Sequence, residues 1–425
     1  MTDRYNTLLS RIKDASSLER FSRLYGSRDG ELSRQISRCS YLVKKHEDIF
    51  HTQAPLCLIS SPGRIEIIGN HTDHNHGRVL AAAVNLDTLA VVSPSEEKRV
   101  RIHSEGFAPM DIDLNDLDIH EEEKGTSAAL VRGVARGMAD DGFRIGGFDA
   151  CITSNVLSGS GLSSSAAYEV LICAVFDHLY NGNMNPVRRA EISQFAENQY
   201  FGKPSGLMDQ MACSVGGMVA IDFKDKPVIE PMDFRFSQCG YDIVVVNTGS
   251  SHDNLTNEYA SIREEMNAVA ACFGEPVLRR VRPEQVWQAI PELRKKVGDR
   301  PILRAEHFFA ENERVKKMTR DVKSGNLEGI FRNIIASGES SWMLLQNVYA
   351  DKNLQPLALA QMMASEFLDS QGAWRVHGGG FAGTTLNFVP QESTAAFVEK
   401  FDAVFGRNAC YVLDVRSEGA ALLLE

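Results

Sequence analysis

The 425-residue chain predicts a two-domain α+β protein. Strand-length apolar runs interleave with helix-period segments in both halves, and a weakly periodic, Pro-containing stretch, "KDKPVIEPMDFRFSQ", interrupts them near residues 225–240. The expected organisation is a helical region over 1–50 laid on the first domain, a first domain over 51–230 and a second over 231–425. Residues 4–50 are polar and helix-permissive. After them come apolar runs of strand length: "LCLIS", "IEII", "VLAAAVNLDTLAVVS" and "FDACITSNV". From Ser163, the residues Ala166, Ala167, Val170, Leu171, Ala174 and Val175 recur at the spacing of one buried helix face. A second helix is expected from Pro186, suited to a first helical position, to about Tyr200. Strands are expected at "MVAIDF" and "YDIVVVNTG", long helices over roughly 302–348, and then "TTLNFV", a helix over 391–405, "ACYVLDV" and "GAALLLE".

Composition narrows the function. An apolar fraction of 43% with 24% charged residues is that of a globular protein, and a net charge of −11 argues against broad nucleic-acid binding, which needs Lys and Arg to neutralise phosphates. The start of the chain has no apolar signal region, and no run reaches the roughly 18 apolar residues of a spanning helix, so a cytoplasmic protein without membrane contact is expected. The cysteines at 39, 57, 151, 173, 213, 239, 272 and 410 form no CxxC pair and read as reduced thiols.

Chemistry enters at "LSGSGLSSSAAYEV". Gly159 and Gly161 free the backbone for close approach to a ligand, Ser163, Ser164 and Ser165 come next, and a helix then opens. The free N–H groups of a first helical turn, backed by the helix dipole, suit a phosphate. The plainer reading is a Ser-capped helix, but three hydroxyls between glycines exceed what a cap requires. The chain has no GxxxxGK[ST] match, so this is another phosphate-loop design. A second cluster, "WRVHGGGFAGTTLNFV", matches GxGxxG formally; the residues after its last glycine are β-rich, which points to a Gly-rich hairpin bordering a ligand or a plain tight turn. In "AENQYFGKPSGLMDQMACSVGG", Glu197 shares a small-residue helix face, and Asp209 lies among Met208, Met211 and Ala212. An acid in apolar company is paired or functional. The plainer readings are a solvated helix carboxylate for Glu197 and a helix N-cap for Asp209. Finally, "GNHTDHNHG" sets three histidines and an aspartate within six positions. That could hold a metal only if the loop curled around it, and no closing ligand is evident.

Together these segments resemble the galactokinase branch of the GHMP family, the small-metabolite kinases that include homoserine, mevalonate and phosphomevalonate kinases. "PGRIEIIGNHTDHNHG" is similar to the first family motif, "GSGLSSSAA" to its phosphate loop, "GLMDQ" to its catalytic segment and "GGGFAGTTL" to its third motif. "NTGSSHDNLTNEYASIREE" and "RAEHFFAENERV" look like galactokinase-specific segments, which extends the resemblance from about residue 55 onward. It implies an S5-domain-2-like α+β N-terminal domain, a ferredoxin-like α+β C-terminal domain, and ATP- and Mg2+-dependent phosphorylation of a sugar at its anomeric hydroxyl.

By the same resemblance, Asp209 would be the carboxylate beside that hydroxyl and Arg64 the cation between it and the γ-phosphate. Ser165 and Glu197 would ligate magnesium, and Gly159, Ser160, Gly161, Leu162, Ser163, Ser164 and Ser165 would hold ATP. His71 and Asp73 would bind ring hydroxyls, with Gly206 and Tyr259 closing round the sugar, while His74 and His76 would pack or hydrogen-bond beneath the loop. Asn70 stands where galactokinases carry a Glu that binds the 6-hydroxyl, so Asn70 is expected to read C6 and to admit galactose first and a C6-modified sugar such as galacturonate second. Ala382 interrupts the third motif's glycine run. The partners expected are the sugar and ATP, with no nucleic acid or membrane, in a monomer or weak homodimer. A sugar- and ATP-binding regulator without turnover is the alternative of another class; it would have no need of the intact phosphate loop and Asp209.

Overall fold

The computed structural model describes residues 3–156, 161–249 and 255–425. Helices α1 (Asp3–Arg11), α2 (Ala15–Tyr25) and α3 (Glu31–Phe50) come first. Their apolar faces put Tyr5, Leu8, Phe21, Leu24 and Leu42 against Leu58, Leu89, Val91 and Cys151 of the sheet behind them. That sheet is built from β1 (Cys57–Ile68), β2 (Arg78–Ser95), β3 (Arg99–Ser104) and β4 (Met110–Asp113), with β5 (Gly147–Ser154) arriving after helix α4 (Ser127–Asp140). The two apolar runs "LCLIS" and "IEII" form one strand. Register shifts between Pro62 and Arg64 and between Glu66 and Ile68 carry the ladder past the Pro-Gly step.

Helix α5 (Ser164–Tyr180) leads to α6 (Pro186–Phe195), α7 (Met208–Val215) and the strands β6 (Met218–Asp222) and β7 (Val228–Met232). The helix expected to run from Pro186 to Tyr200 is α-helical to Phe195 and then widens into a π turn over Ala196–Phe201. The second half opens with β8 (Tyr241–Asn247), then α8 (Thr256–Ala271), α9 (Pro283–Lys296), α10 (Asp299–Ser324), α11 (Leu327–Ser340) and α12 (Pro356–Leu368). It closes with β9 (Ala373–His377), β10 (Thr384–Pro390), α13 (Thr394–Phe405), β11 (Cys410–Leu413) and β12 (Ala421–Leu424).

The second sheet is antiparallel in the order β11-β8-β10-β9. The first runs β12-β1-β2-β5-β3-β4, with β6 on β2 and β7 on β6. The final strand leaves the second half and pairs with β1, Leu58 facing Leu424. A buried hub fixes the return. Asp87 accepts from Tyr25 Oη at 2.6 Å, from Arg38 at 2.5 Å, from Ser60 and from Arg416 at 3.2 Å. Burial opposes ionisation of Asp87, but the two guanidiniums outweigh it and hold its carboxyl below the usual range. Among the described residues no helix is long and apolar enough to cross a membrane, and all eight cysteines are free thiols.

Candidate active site

β1, the loop after it, the start of α5, the first turn of α7 and the β9–β10 turn converge on one site. Arg64 and Asp209 form its centre. The guanidinium donates Nε to Oδ1 at 2.7 Å and Nη2 to Oδ2 at 2.6 Å, and gives Nη1 to the Gly161 carbonyl at 2.5 Å. The plainer reading of Asp209 as an N-cap does not hold: Leu207 caps α7 and Asp209 lies inside its first turn. Burial would raise the Asp209 carboxyl, but the charge and hydrogen bonds of Arg64, with help from Ser163 and Lys203, hold it below its ordinary value. Asp209 is therefore a carboxylate across the neutral range.

Of the phosphate loop, Gly159 and Ser160 lie outside the described residues. Gly161 has φ +73, and a Cβ there would come within 2.6 Å of Thr384 Oγ1, so a glycine is needed where the loop meets the β9–β10 turn. The Leu162 carbonyl accepts from Arg64 N–H at 3.1 Å, which pins the loop to β1. Ser163 precedes α5 in the left-handed region at φ 59, where a side chain is strained, and its hydroxyl donates to Asp209 rather than capping the helix. The first-turn N–H groups beyond it, including those of Ser164 and Ser165, have no Ser163 cap and suit an anion.

The π turn carries Glu197, only 2% exposed. Its Oε1 accepts from Ser165 Oγ at 2.9 Å and from Lys203 Nζ at 3.1 Å, and its Oε2 from Gln210 Nε2 at 2.7 Å. The expectation of a solvated helix carboxylate fails here, and the π turn is what swings Glu197 inward. One buried carboxylate and one hydroxyl are hard oxygen donors that suit magnesium, which keeps several waters.

The loop after β1 holds the remaining candidates. Asp73 accepts from His74 N–H at 2.8 Å, and a Cβ on Gly206 would fall 1.7 Å from Asp73 Oδ2, so only glycine lets the 206 backbone press against this carboxylate. Burial, and then the charge of Asp209, raise the Asp73 carboxyl to about 6. His71 sits at φ 55 with Nε2 2.9 Å from the Gly379 carbonyl. A carbonyl only accepts, so the proton is on Nε2 and Nδ1 is an acceptor. Burial lowers the ring's pKa to about 4, leaving it neutral at pH 7. Tyr259 Oη donates to the Gly380 carbonyl at 2.9 Å, and a Cβ on Gly379 would meet its ring at 2.6 Å. His74 Nδ1 faces Asn75 Nδ2 at 3.0 Å, and His76 is exposed with Nδ1 3.4 Å from the Lys224 carbonyl. Among the described residues no three His, Cys, Asp or Glu side chains form a metal cluster.

Asn70 departs from expectation. It is fully buried, its Nδ2 donates to Glu66 Oε1 at 3.1 Å and to the Gly378 carbonyl at 2.7 Å, and its Oδ1 accepts from Asn347 at 2.8 Å and Ser341 at 3.3 Å. Two donor hydrogens and two lone pairs are all used, leaving none for a sugar C6 group. Sequence reasoning also missed Lys203, the Arg375–Glu66 ion pair at 2.7 Å, and His377, whose Nε2 accepts from Glu66 N–H at 3.2 Å. Helical spacing in "RAEHFFAENERV" could have flagged His307 and Glu311 as neighbours; nothing in the spacing flags Lys203.

A phosphate-ready helix start, a carboxylate paired with arginine and a buried carboxylate–hydroxyl pair, set between an α+β domain and a four-stranded antiparallel sheet, define a GHMP-type small-molecule kinase. Residues 128–217 match the GHMP kinases N terminal domain, and residues 44–94 match the galactokinase galactose-binding signature. The galactokinase of Lactobacillus helveticus is 30% identical over 378 residues, covering 86% of this chain and 93% of that protein. The crystal structure of Lactococcus lactis galactokinase complexed with galactose superposes with a TM-score of 0.78 at 26% identity, covering 89% of this chain and 98% of that one. A mevalonate kinase structure, at 14% identity and TM-score 0.61, shares the fold. The chain belongs to the galactokinase family.

Proposed function

We propose that this galactokinase-family enzyme transfers the γ-phosphoryl group of ATP to the anomeric hydroxyl of galactose. The observation that carries the reading is the Arg64–Asp209–Ser163 constellation beneath the phosphate loop and beside the Asp73–Gly206 contact. Phosphoryl transfer has a loose transition state, so catalysis is positioning and charge stabilisation, and a weakly basic carboxylate suffices because the hydroxyl proton leaves late. Ionised Asp209 accepts the hydrogen bond of the attacking hydroxyl and takes that proton. Arg64 keeps Asp209 ionised and faces the transferring group. The amides that begin α5 hold nucleotide phosphates. Ser165 and Glu197 would hold Mg2+, which supplies charge neutralisation on the phosphates when bound.

In the sugar pocket His71 Nδ1 accepts from a ring hydroxyl, Asp73 accepts from the axial 4-hydroxyl, and Gly206 and Tyr259 close the walls. Because Asn70 is committed inside the protein, its lack of charge gives no opening to galacturonate, and galactose is the substrate of choice. The intact Asp209 geometry favours turnover over a sensor role. The protein is read as cytoplasmic, and as a monomer or weak homodimer that takes the sugar and ATP as its partners. The test is a panel of galactose, 6-deoxygalactose, galacturonate and glucose with coupled ADP detection. Galactose should lead; glucose turned over as well as any galacto sugar would defeat the reading.

A further inference from the structure

The loop that carries His71 and Asp73 is gripped by a helix from the other half of the chain. Glu311 of α10 is fully buried, and its Oε1 accepts from the backbone N–H groups of Gly69 at 2.9 Å and Asn70 at 3.2 Å. Four residues earlier on the same helix face, His307 sits with Nε2 3.0 Å from the Asn70 carbonyl, so Nε2 carries the proton, while Nδ1 accepts from Ser340 Oγ at 2.9 Å. One peptide segment is thus held from both sides, donors by a carboxylate and acceptor by an imidazole. Ser337 Oγ at 2.5 Å and Arg314 Nε at 2.7 Å complete the shell of Glu311. Burial opposes its charge, but Arg314, His307 and Arg375 outweigh burial and draw the carboxyl down to about 2.

The grip has a consequence for the next residue. Gly69 has φ +115, where a Cβ would strike Val79 Cα at 2.6 Å, and His71 has φ 55, a strained value for a residue with a side chain. Such backbone persists only where its surroundings over-determine it, and here the over-determination falls on the peptides of Gly69 and Asn70. We propose that Glu311 and His307 are positioning residues for sugar binding: they clamp the Gly69–Asn70 backbone and so hold His71 and Asp73 in their sugar-binding arrangement. The inference rests on the reading of this loop as the galactose site.

A merely structural pair would affect both ligands alike, whereas a clamp on one loop affects the sugar. The variants are Glu311→Gln, close to isosteric, and Ser337→Ala, which removes one donor to the same oxygen. Galactose and a non-hydrolysable ATP analogue are each titrated by calorimetry, and steady-state kcat and KM are measured. Glu311→Gln leaves a buried N–H facing a weaker acceptor and should weaken galactose binding and raise its KM by about tenfold or more, with analogue affinity within about twofold. Ser337→Ala should do the same by about threefold. Unchanged galactose affinity in folded Glu311→Gln, or sugar and nucleotide affinities falling together, overturns the clamp. Should Glu311→Gln not fold, Ser337→Ala decides by the same criteria. Wild-type protein that binds galactose without phosphorylating it would defeat the kinase reading and leave the test of the clamp intact.

Discussion

Replacing Asn70 by Glu installs the residue that the resemblance to galactokinases implies at this position, and the structure says it will fail on its own. The Asn70 amide donates to the Glu66 carboxylate at 3.1 Å, and Glu66 is 3% exposed, so a glutamate at 70 sets two buried carboxylates together beside the single guanidinium of Arg375. It also withdraws the donor that satisfies the Gly378 carbonyl. An uncompensated buried charge costs about 3–5 kcal/mol, a large share of the roughly 5–15 kcal/mol that holds a protein folded. The second variant is Glu66→Asn. Combined with Asn70→Glu it restores one carboxylate, one amide and the Arg375 guanidinium that now pairs with Glu66 at 2.7 Å. Urea melts of the wild type, both single variants and the double variant form a complete cycle. The double variant should recover at least half of the loss, a coupling of about 1–3 kcal/mol in the favourable direction. Additive effects, or an Asn70→Glu protein as stable as wild type, would refute the argument that positions 66 and 70 have room for only one buried carboxylate.

The site carries further expected outcomes. Asp209→Asn should lower kcat at least about a hundredfold while the protein stays folded and binds an ATP analogue, because a general-base contribution is about 10²–10⁴; near-normal turnover would remove Asp209 from its role. Asp73, its carboxyl raised to about 6 by burial and Asp209, is protonated more in the folded than in the unfolded chain between about pH 4 and 6. Its contribution to stability in the sugar-free protein therefore falls as pH rises through that window, and galactose KM should rise below about pH 6 as the acceptor is lost, measured as a KM profile from pH 5 to 8; a flat profile would contradict it. Gly206→Ala puts a methyl 1.7 Å from Asp73 Oδ2, so galactose KM should rise more than tenfold with the KM for ATP little changed, and an unaffected KM would show that the two do not share a wall. Lys203→Met removes a cation from Glu197 Oε1, so the magnesium concentration for half-maximal turnover should fall a few-fold, while melting without metal occurs at lower temperature; a raised requirement would mean that the lysine assists the metal.

The motif order told more than the local periodicity did. Pro62 to Gly77, the serines from Ser163, Asp209 and the glycines from Gly378 are far apart in the chain, and the fold gathers them because each sits at the end of a strand or the start of a helix facing one cleft. The two-domain α+β class was legible for a similar reason, since apolar runs such as "VLAAAVNLDTLAVVS" become buried strands whatever their neighbours. What was not legible depends on contacts across the chain. Nothing in "EGAALLLE" says that its strand returns to β1, which Arg416 and Asp87 decide from 329 residues apart. Asn70 looked like a reader of substrate because the sequence shows its polarity and not its partners, Glu66, Gly378, Ser341 and Asn347, three of which lie in the second half. Lys203 was invisible because it reaches Glu197 only through the π turn, and π turns carry no reliable periodic signature.

The charges of the site make sense as two separate pairs. Arg64 is matched by Asp209 and Lys203 by Glu197, so before ligands arrive the cleft holds strong local charges that nearly cancel. A highly anionic nucleotide entering a cleft with unmatched carboxylates would be repelled, and one entering a cleft with unmatched cations would be held as tightly before reaction as during it, which gains nothing in rate. Pairing avoids both. In the proposed reaction Arg64 keeps its pair with Asp209 while facing the transferring group, and magnesium, which Glu197 and Ser165 would hold, would take over the carboxylate that Lys203 now pairs and supply charge neutralisation on the phosphates. Asp73 stands outside this scheme. It has no guanidinium or ammonium partner among the described hydrogen bonds, and burial keeps its carboxyl near 6. That makes it sensitive to its surroundings in the way a sugar-reading group is served by: a hydroxyl donor presented in the right orientation stabilises the ionised form, and a sugar that lacks one there leaves a buried acceptor unsatisfied. On the proposed function, discrimination against glucose and the chemistry at Asp209 would thus draw on two carboxylates that their environments shift in opposite directions, Asp73 upward and Asp209 downward.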